Sequence, residues 1–151
     1  MEVMRKFQWR EFAFFYSLTT TRKGRKCYYV QKELSNVQNL YSDIEIVLKR
    51  QIDEADSKTM RKLLSSGKSR ARIFLVCLET GYQKRQFMKS AVLENMVTEE
   101  YVYVYVETSR SHFGKVPFWI DDGSENDGMD AIIKEASKRI LIVDLRPLNL
   151  T

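Results

Sequence analysis

The chain holds a single histidine, His112, with Ser109 and Ser111 just before it. A hydroxyl nucleophile needs an imidazole base beside it and a carboxylate to orient that base. No elbow motif surrounds these serines, so His112 reads as a solvated loop residue and no catalytic residue is assigned. Asp121-Asp122-Gly123-Ser124-Glu125-Asn126-Asp127-Gly128 offers oxygen atoms to a hard cation, but the spacing of a calcium hand is not met. The preferred reading is a mobile loop whose Asp127 caps the next helix and favours its positive end. Gly24 and Gly81 stand alone, so no strand is followed by a glycine-rich phosphate cradle. No metal and no cofactor are assigned. Arg22-Lys23-Gly24-Arg25-Lys26 and the Lys58–Arg72 segment carry most of the basic excess and could meet phosphates. Aromatics are not interleaved as base-stacking platforms require, so solvated faces are the preferred reading. Two cysteines, Cys27 and Cys77, are too few for a structural zinc site. Their spacing alone leaves a disulfide and two free thiols both open. Asn149-Leu150-Thr151 is an N-glycosylation sequon, which matters only in a secreted chain.

The elements that must position these residues follow from periodicity. Phe12–Tyr16 is a short continuous apolar run, as in a strand buried on both faces. A breaker-rich loop, Thr19–Lys26, follows. Val30, Leu34 and Val37 recur at helical spacing. Ile44–Leu48 is a second strand. Asp56 or Ser57 caps a helix carrying Met60, Leu63 and Leu64, and Gly67 is placed to end it. Ile73–Leu78 is the clearest buried strand, followed by a helix over Tyr82–Glu94 that packs through Phe87, Met88, Ala91 and Val92. Tyr101–Val106 is a fourth strand, with its tyrosines on one side and its valines on the other. After the loop Thr108–Asp127 come a short helix, Met129–Ser137, and a last strand, Ile140–Val143. Strands alternate with helices throughout, which predicts an α/β fold: a mostly parallel sheet of about five strands flanked by helices on both faces. Ligands in such sheets bind beyond the carboxyl ends of the strands, at Ser17–Lys26, Lys49–Asp56, Glu79–Tyr82 and Thr108–Asp127.

The bulk properties fit this picture. A chain of 151 residues with 44% hydrophobic residues suits one domain with a real core. Two prolines and six glycines leave little material for a linker, so residues 1–151 read as one lobe with no internal boundary. A net charge of +5 permits an acidic partner without demanding one. No stretch reaches the roughly 18 apolar residues of a membrane span. Met1–Phe7 lacks the apolar run of a secretory signal, so the polypeptide read by itself stays in the cytosol.

Several stretches together resemble a known family. They are Met4–Trp9 leading into Phe12–Ser17, Arg25–Tyr29, Ser69–Ile73 leading into Cys77, Phe87-Met88, and Glu99–Tyr103. Pro117-Phe118-Trp119, Asp127–Asp130 and Ile140–Leu145 complete the series. In this order and spacing the chain resembles the ligand-binding region of receptor-type guanylate cyclases, nearest the nematode chemosensory members. The resemblance implies one lobe, most of the second, of a type I periplasmic-binding-protein fold on the extracellular side of the plasma membrane. It implies an extracellular ligand, peptide or small molecule, and a dimer partner, with cyclase chemistry absent from these residues and no membrane insertion by them. It also implies a Cys27–Cys77 disulfide, worth roughly 4 kcal/mol for a loop of about 50 residues in the chain-entropy model. In the hormone-binding members, aromatics after the first cysteine contact ligand. Tyr28 and Tyr29 occupy those places, whereas Lys32 stands where those members have an acidic contact residue. The alternatives are a glutamate-receptor-like or solute-binding lobe and a cytosolic basic α/β module that binds nucleic acid.

Overall fold

The computed structural model describes residues 4, 6–18, 26–40, 42–53, 56–107 and 117–143, with the side chains of 37–40 left aside. In chain order the elements are β1 (Glu11–Tyr16), α1 (Lys26–Leu40), β2 (Glu45–Gln51), α2 (Ser57–Lys68) and β3 (Ile73–Cys77). They continue with α3 (Gly81–Leu93), β4 (Val102–Val106), α4 (Asp130–Ser137) and β5 (Leu141–Val143). The sheet has five strands in the order β2-β1-β3-β4-β5, and every neighbouring pair is parallel. The expected α/β architecture is therefore present.

Side-chain alternation divides the core between the two faces of the sheet. Ala13, Phe15, Phe74, Val76, Tyr103 and Tyr105 point to one face, where Met60 and Leu64 of α2, Phe87, Met88 and Ala91 of α3 and Ile133 of α4 cover them. Phe12, Phe14, Tyr16, Ile73, Leu75, Cys77, Val104 and Val106 point to the other, packed with Cys27, Val30 and Leu34 of α1. The right-handed crossover rule explains the partition. The chain steps one way from β1 to β2 and the opposite way from β2 onward, so α1 must lie across the sheet from α2, α3 and α4.

Local signals set the helix ends. Asp56, in extended conformation, accepts from the Thr59 amide at 2.8 Å and caps α2. Thr80 and Gln83 form a reciprocal capping box at the start of α3, which satisfies two amides the helix cannot. At the other end of α3, Asn95 takes φ 57°. Its amide reaches Val92 O at 3.1 Å, while that of Met96 reaches Ala91 O at 2.9 Å. That is the paired closure of a Schellman turn, with asparagine in the glycine place and buried Met96 as its apolar contact.

Three expectations are corrected. Gly67 does not end α2: it is buried inside the last turn. A Cβ there would lie 2.8 Å from Phe74 Cε1 and 3.5 Å from Phe15 Cζ, so glycine is needed for close approach of helix and sheet. β2 runs on through Lys49, Arg50 and Gln51, which look like loop residues. They tolerate water because β2 is an edge strand, and its hydrogen bonds to β1 continue regardless of side-chain polarity. Asp127 accepts the Met129 amide at 3.0 Å, yet the first turn of α4 has no side-chain cap. The carboxylate is instead taken by Arg85 and Lys89.

Candidate functional site

The strand order reverses between β1 and β3, since one chain leaves toward β2 and the other toward β4. In doubly wound sheets the crevice at this switch is where ligands bind. Here it is tightly tied. The Ser17 amide donates to Cys77 O at 3.0 Å and that of Ile52 to Tyr16 O at 2.7 Å. Ser17 Oγ donates to Gln83 Oε1 at 3.1 Å and accepts from the Glu79 amide at 3.2 Å. Gln83 Oε1 also accepts from the Glu79 and Thr80 amides. The connection from β3 to α3 is thus fixed through two short polar side chains.

Cys77 is the last residue of β3, and parity points it toward α1. Cys27, in the first turn of α1, is bonded to it; the Cα atoms are 5.5 Å apart and both residues are fully buried. Beside the disulfide, Glu79 Oε1 accepts from the Cys27 amide at 2.9 Å. Burial pushes the Glu79 carboxyl upward, against the Cys27 amide and the charges of Lys84 and Lys26. The next two residues, Tyr28 and Tyr29, are 45% and 56% exposed. Their rings meet edge to face, 5.6 Å between centroids. Lys32 is also exposed, one turn beyond Tyr28. Two large aromatic surfaces are therefore presented to solvent on a helix end that is itself covalently anchored.

A second feature lies at the start of α3. Gly81, Tyr82, Arg85, Pro117, Phe118, Ile120, Asp121, Asp122 and Glu125 line a cleft of about 360 Å³. Its floor is an ion cluster. Arg85, with 4% of its side chain exposed, donates Nη1 and Nη2 to the two Asp127 oxygens at 2.8 Å each. It also donates Nη2 to Asp130 at 2.6 Å and Nε to Trp119 O at 3.1 Å. Lys89 stands 2.6 Å from Glu125 and 2.9 Å from Asp127, and the Gln86 amide also donates to Glu125. These bonds hold Arg85 more firmly protonated than usual and the Asp127 carboxyl well below its ordinary range, mainly through their mutual hydrogen bonds. The acidic loop predicted to be mobile is wound around Asp121, which accepts from the amides of Gly123 and Asn126 at 3.2 and 2.6 Å.

Tyr103 and Tyr105 are core residues, as the pattern of their strand implied, and burial raises both phenols. In the basic Lys58–Arg72 segment, Arg61 pairs with Glu94 at 2.7 Å and Arg72 lies over the Tyr101 ring, 5.3 Å from its centroid. His112, Ser109, Ser111, Asn149 and the Arg22–Arg25 stretch fall outside the described residues. Among the described residues no group of His, Cys, Asp and Glu is arranged to hold a metal. No helix of the described residues is long and apolar enough to cross a membrane. The roles of Glu79, Arg85 and Lys89 escape sequence reasoning because each acts across elements, although Glu79 falls in the Glu79–Tyr82 loop expected to face ligands. For Gln83 the Thr80-x-x-Gln83 capping spacing is a local signal that could have found it.

A family profile, the receptor family ligand binding region, matches residues 1–144. The receptor-type guanylate cyclase gcy-13 of Caenorhabditis elegans is 28% identical over 156 residues, spanning 98% of this chain and 15% of its own length. Receptor-type guanylate cyclases gcy-14 and gcy-20 of the same nematode are 32% identical over 113 residues and 30% identical over 128 residues. This chain spans 10% of gcy-14 and 11% of gcy-20. The match covers the doubly wound sheet, the cysteine pair and the exposed tyrosines together, and on it the chain belongs to the receptor family ligand binding region.

Proposed function

We propose that residues 1–151 form one lobe of the extracellular ligand-binding domain of a receptor guanylate cyclase. In that reading a ligand or a second receptor meets the carboxyl edge of the sheet, and Tyr28 and Tyr29 are the contact residues. The observation that carries it is the pair of exposed tyrosines on a helix end held by the Cys27–Cys77 bond. Aromatic side chains supply large contact area at low entropic cost, which is why they dominate binding hot spots. A helix end that is already fixed loses little freedom on binding. The lobe would signal by differential affinity: a ligand that prefers one arrangement of the receptor shifts the population toward it and so alters the output of a cyclase elsewhere in the polypeptide.

The test is a full-length transcript. Downstream of residue 151 it is expected to encode a single apolar span followed by a cyclase region. A channel or a bundle of seven helices in that place would overturn the cyclase reading and favour a glutamate-receptor-like lobe.

A further inference from the structure

The tyrosine pair is held by more than the disulfide. A helix leaves its first amides without intrahelical partners, and a negative group placed there is favoured by both hydrogen bonding and the helix dipole. The first turn of α1 contains no acidic residue. Its Cys27 amide is satisfied from another element, by the carboxylate of Glu79 in the β3–α3 connection, at 2.9 Å and 52 residues away in sequence. Glu79 lies two residues beyond Cys77, so the covalent bond and this hydrogen bond join the same two segments. The disulfide ties the first turn covalently to the end of β3, and the carboxylate adds a second, polar tie at the backbone of the same turn. Glu79 is itself immobilised, because its amide is shared by Ser17 Oγ and Gln83 Oε1 at 3.2 and 3.1 Å.

We propose that Glu79 is a positioning residue: it caps α1 from across the switch point and sets the orientation in which Tyr28 and Tyr29 are displayed. This rests on the reading of those tyrosines as ligand contacts and adds the group that aims them. The energetics separate this role from plain stabilisation. Burial is the largest influence on the Glu79 carboxyl and raises it, so holding the charged form there carries a desolvation cost. A glutamine keeps an acceptor oxygen while removing the charge that burial opposes. Glu79→Gln exchanges that cost for a weaker bond, so global stability changes little, while the loss of a charge-assisted bond loosens the first turn.

The experiment is hydrogen–deuterium exchange on the full chain, with thermal unfolding measured in parallel. In Glu79→Ala the amides of residues 27–30 are expected to exchange about tenfold faster, the loss of one hydrogen bond to a charged group. Glu79→Gln is expected to fall between, with β3 protected as in the parent and Tm little changed. Unchanged exchange at residues 27–30 in both variants overturns the proposal. So does a Glu79→Gln protein that exchanges faster everywhere and melts earlier, since Glu79 would then be a general structural member. The ligand reading is tested apart from this, in a gcy-14 receptor carrying residues 1–144 of this chain. Its cGMP output is measured with a panel of amino acids, amines and short peptides. A response unaltered by Tyr28→Ala with Tyr29→Ala, alongside a loosened turn in Glu79→Gln, removes the contact role and leaves the positioning role standing. A response lost in the tyrosine variants, with no change in exchange on altering Glu79, does the reverse.

Discussion

Replacing Asp127 by asparagine keeps the side-chain volume and removes one charge from the cluster around Arg85. In the parent, both Asp127 oxygens accept from the guanidinium at 2.8 Å, and one lies 2.9 Å from Lys89. An asparagine can accept one guanidinium bond, but its amide then faces the other donor, so a bond becomes a donor–donor contact. Removing one partner of a buried ion pair costs about 3–5 kcal/mol. Asp130 still holds Arg85 at 2.6 Å and Glu125 still holds Lys89 at 2.6 Å, which places the loss at the lower end, about 3 kcal/mol. At about 2–4 °C per kcal/mol for a chain of this size, Tm should fall by roughly 6–12 °C at neutral pH. Calorimetry measures it, and a cycle with Arg85→Met should show the two losses to be non-additive. The pH dependence has a fixed sign. Asp127 titrates below its unfolded value, chiefly because of Arg85. Its contribution is therefore complete above the unfolded value of about 3.9 and is lost as the pH falls through the folded one. The gap between parent and variant should be constant above about pH 5 and shrink below about pH 4. A drop of under about 2 °C, or a gap that ignores acid, refutes the reasoning.

Two further substitutions probe the core and the tie. Gly67→Ala gains about 1 kcal/mol of helix propensity, but its Cβ meets Phe74 Cε1 at 2.8 Å. That ring is fully buried and stacked against Phe15 and Tyr103, so overpacking of about 1–3 kcal/mol wins. The urea midpoint should fall, and Phe74→Leu in the same chain should restore part of it. Cys27→Ser, Cys77→Ser and the double variant should each lose roughly 4 kcal/mol in urea unfolding under oxidising conditions. Additive losses would show that the thiols act separately rather than as one bond.

The fold was largely legible because its signals are local and repeated. The runs Phe12–Tyr16, Ile73–Cys77 and Tyr101–Val106 are strands buried between layers, and the helix faces between them keep their period. Legibility fails where tertiary position overrides local composition. Lys49–Gln51 look like a loop and form an edge strand, because pairing with β1 needs only the backbone. Gly67 looks like a helix stop and serves as a packing gap, because Phe74 comes from an element not yet formed when α2 is read. Cys27 and Cys77 could be placed at a helix start and a strand end, but their pairing came from the family resemblance. Of the candidate site, Tyr28 and Tyr29 came from the same resemblance. Glu79 falls within a loop marked for ligands, but its bond to Cys27, like the partners of Arg85, could not be read, since nothing near either residue in sequence names them.

The last strand has a consequence for solubility. β5 is three residues long, yet it shields the outer edge of β4, whose Val-Tyr-Val-Tyr-Val sequence has the composition of a self-templating segment. Ile142 on this shield is 64% exposed, so the cover is thin. Detachment of these few residues would bare the backbone edge of β4 at Val104–Val106, an unpaired edge able to recruit a strand from another molecule. Colloidal lifetime at high concentration should then depend on how firmly these three residues adhere to β4.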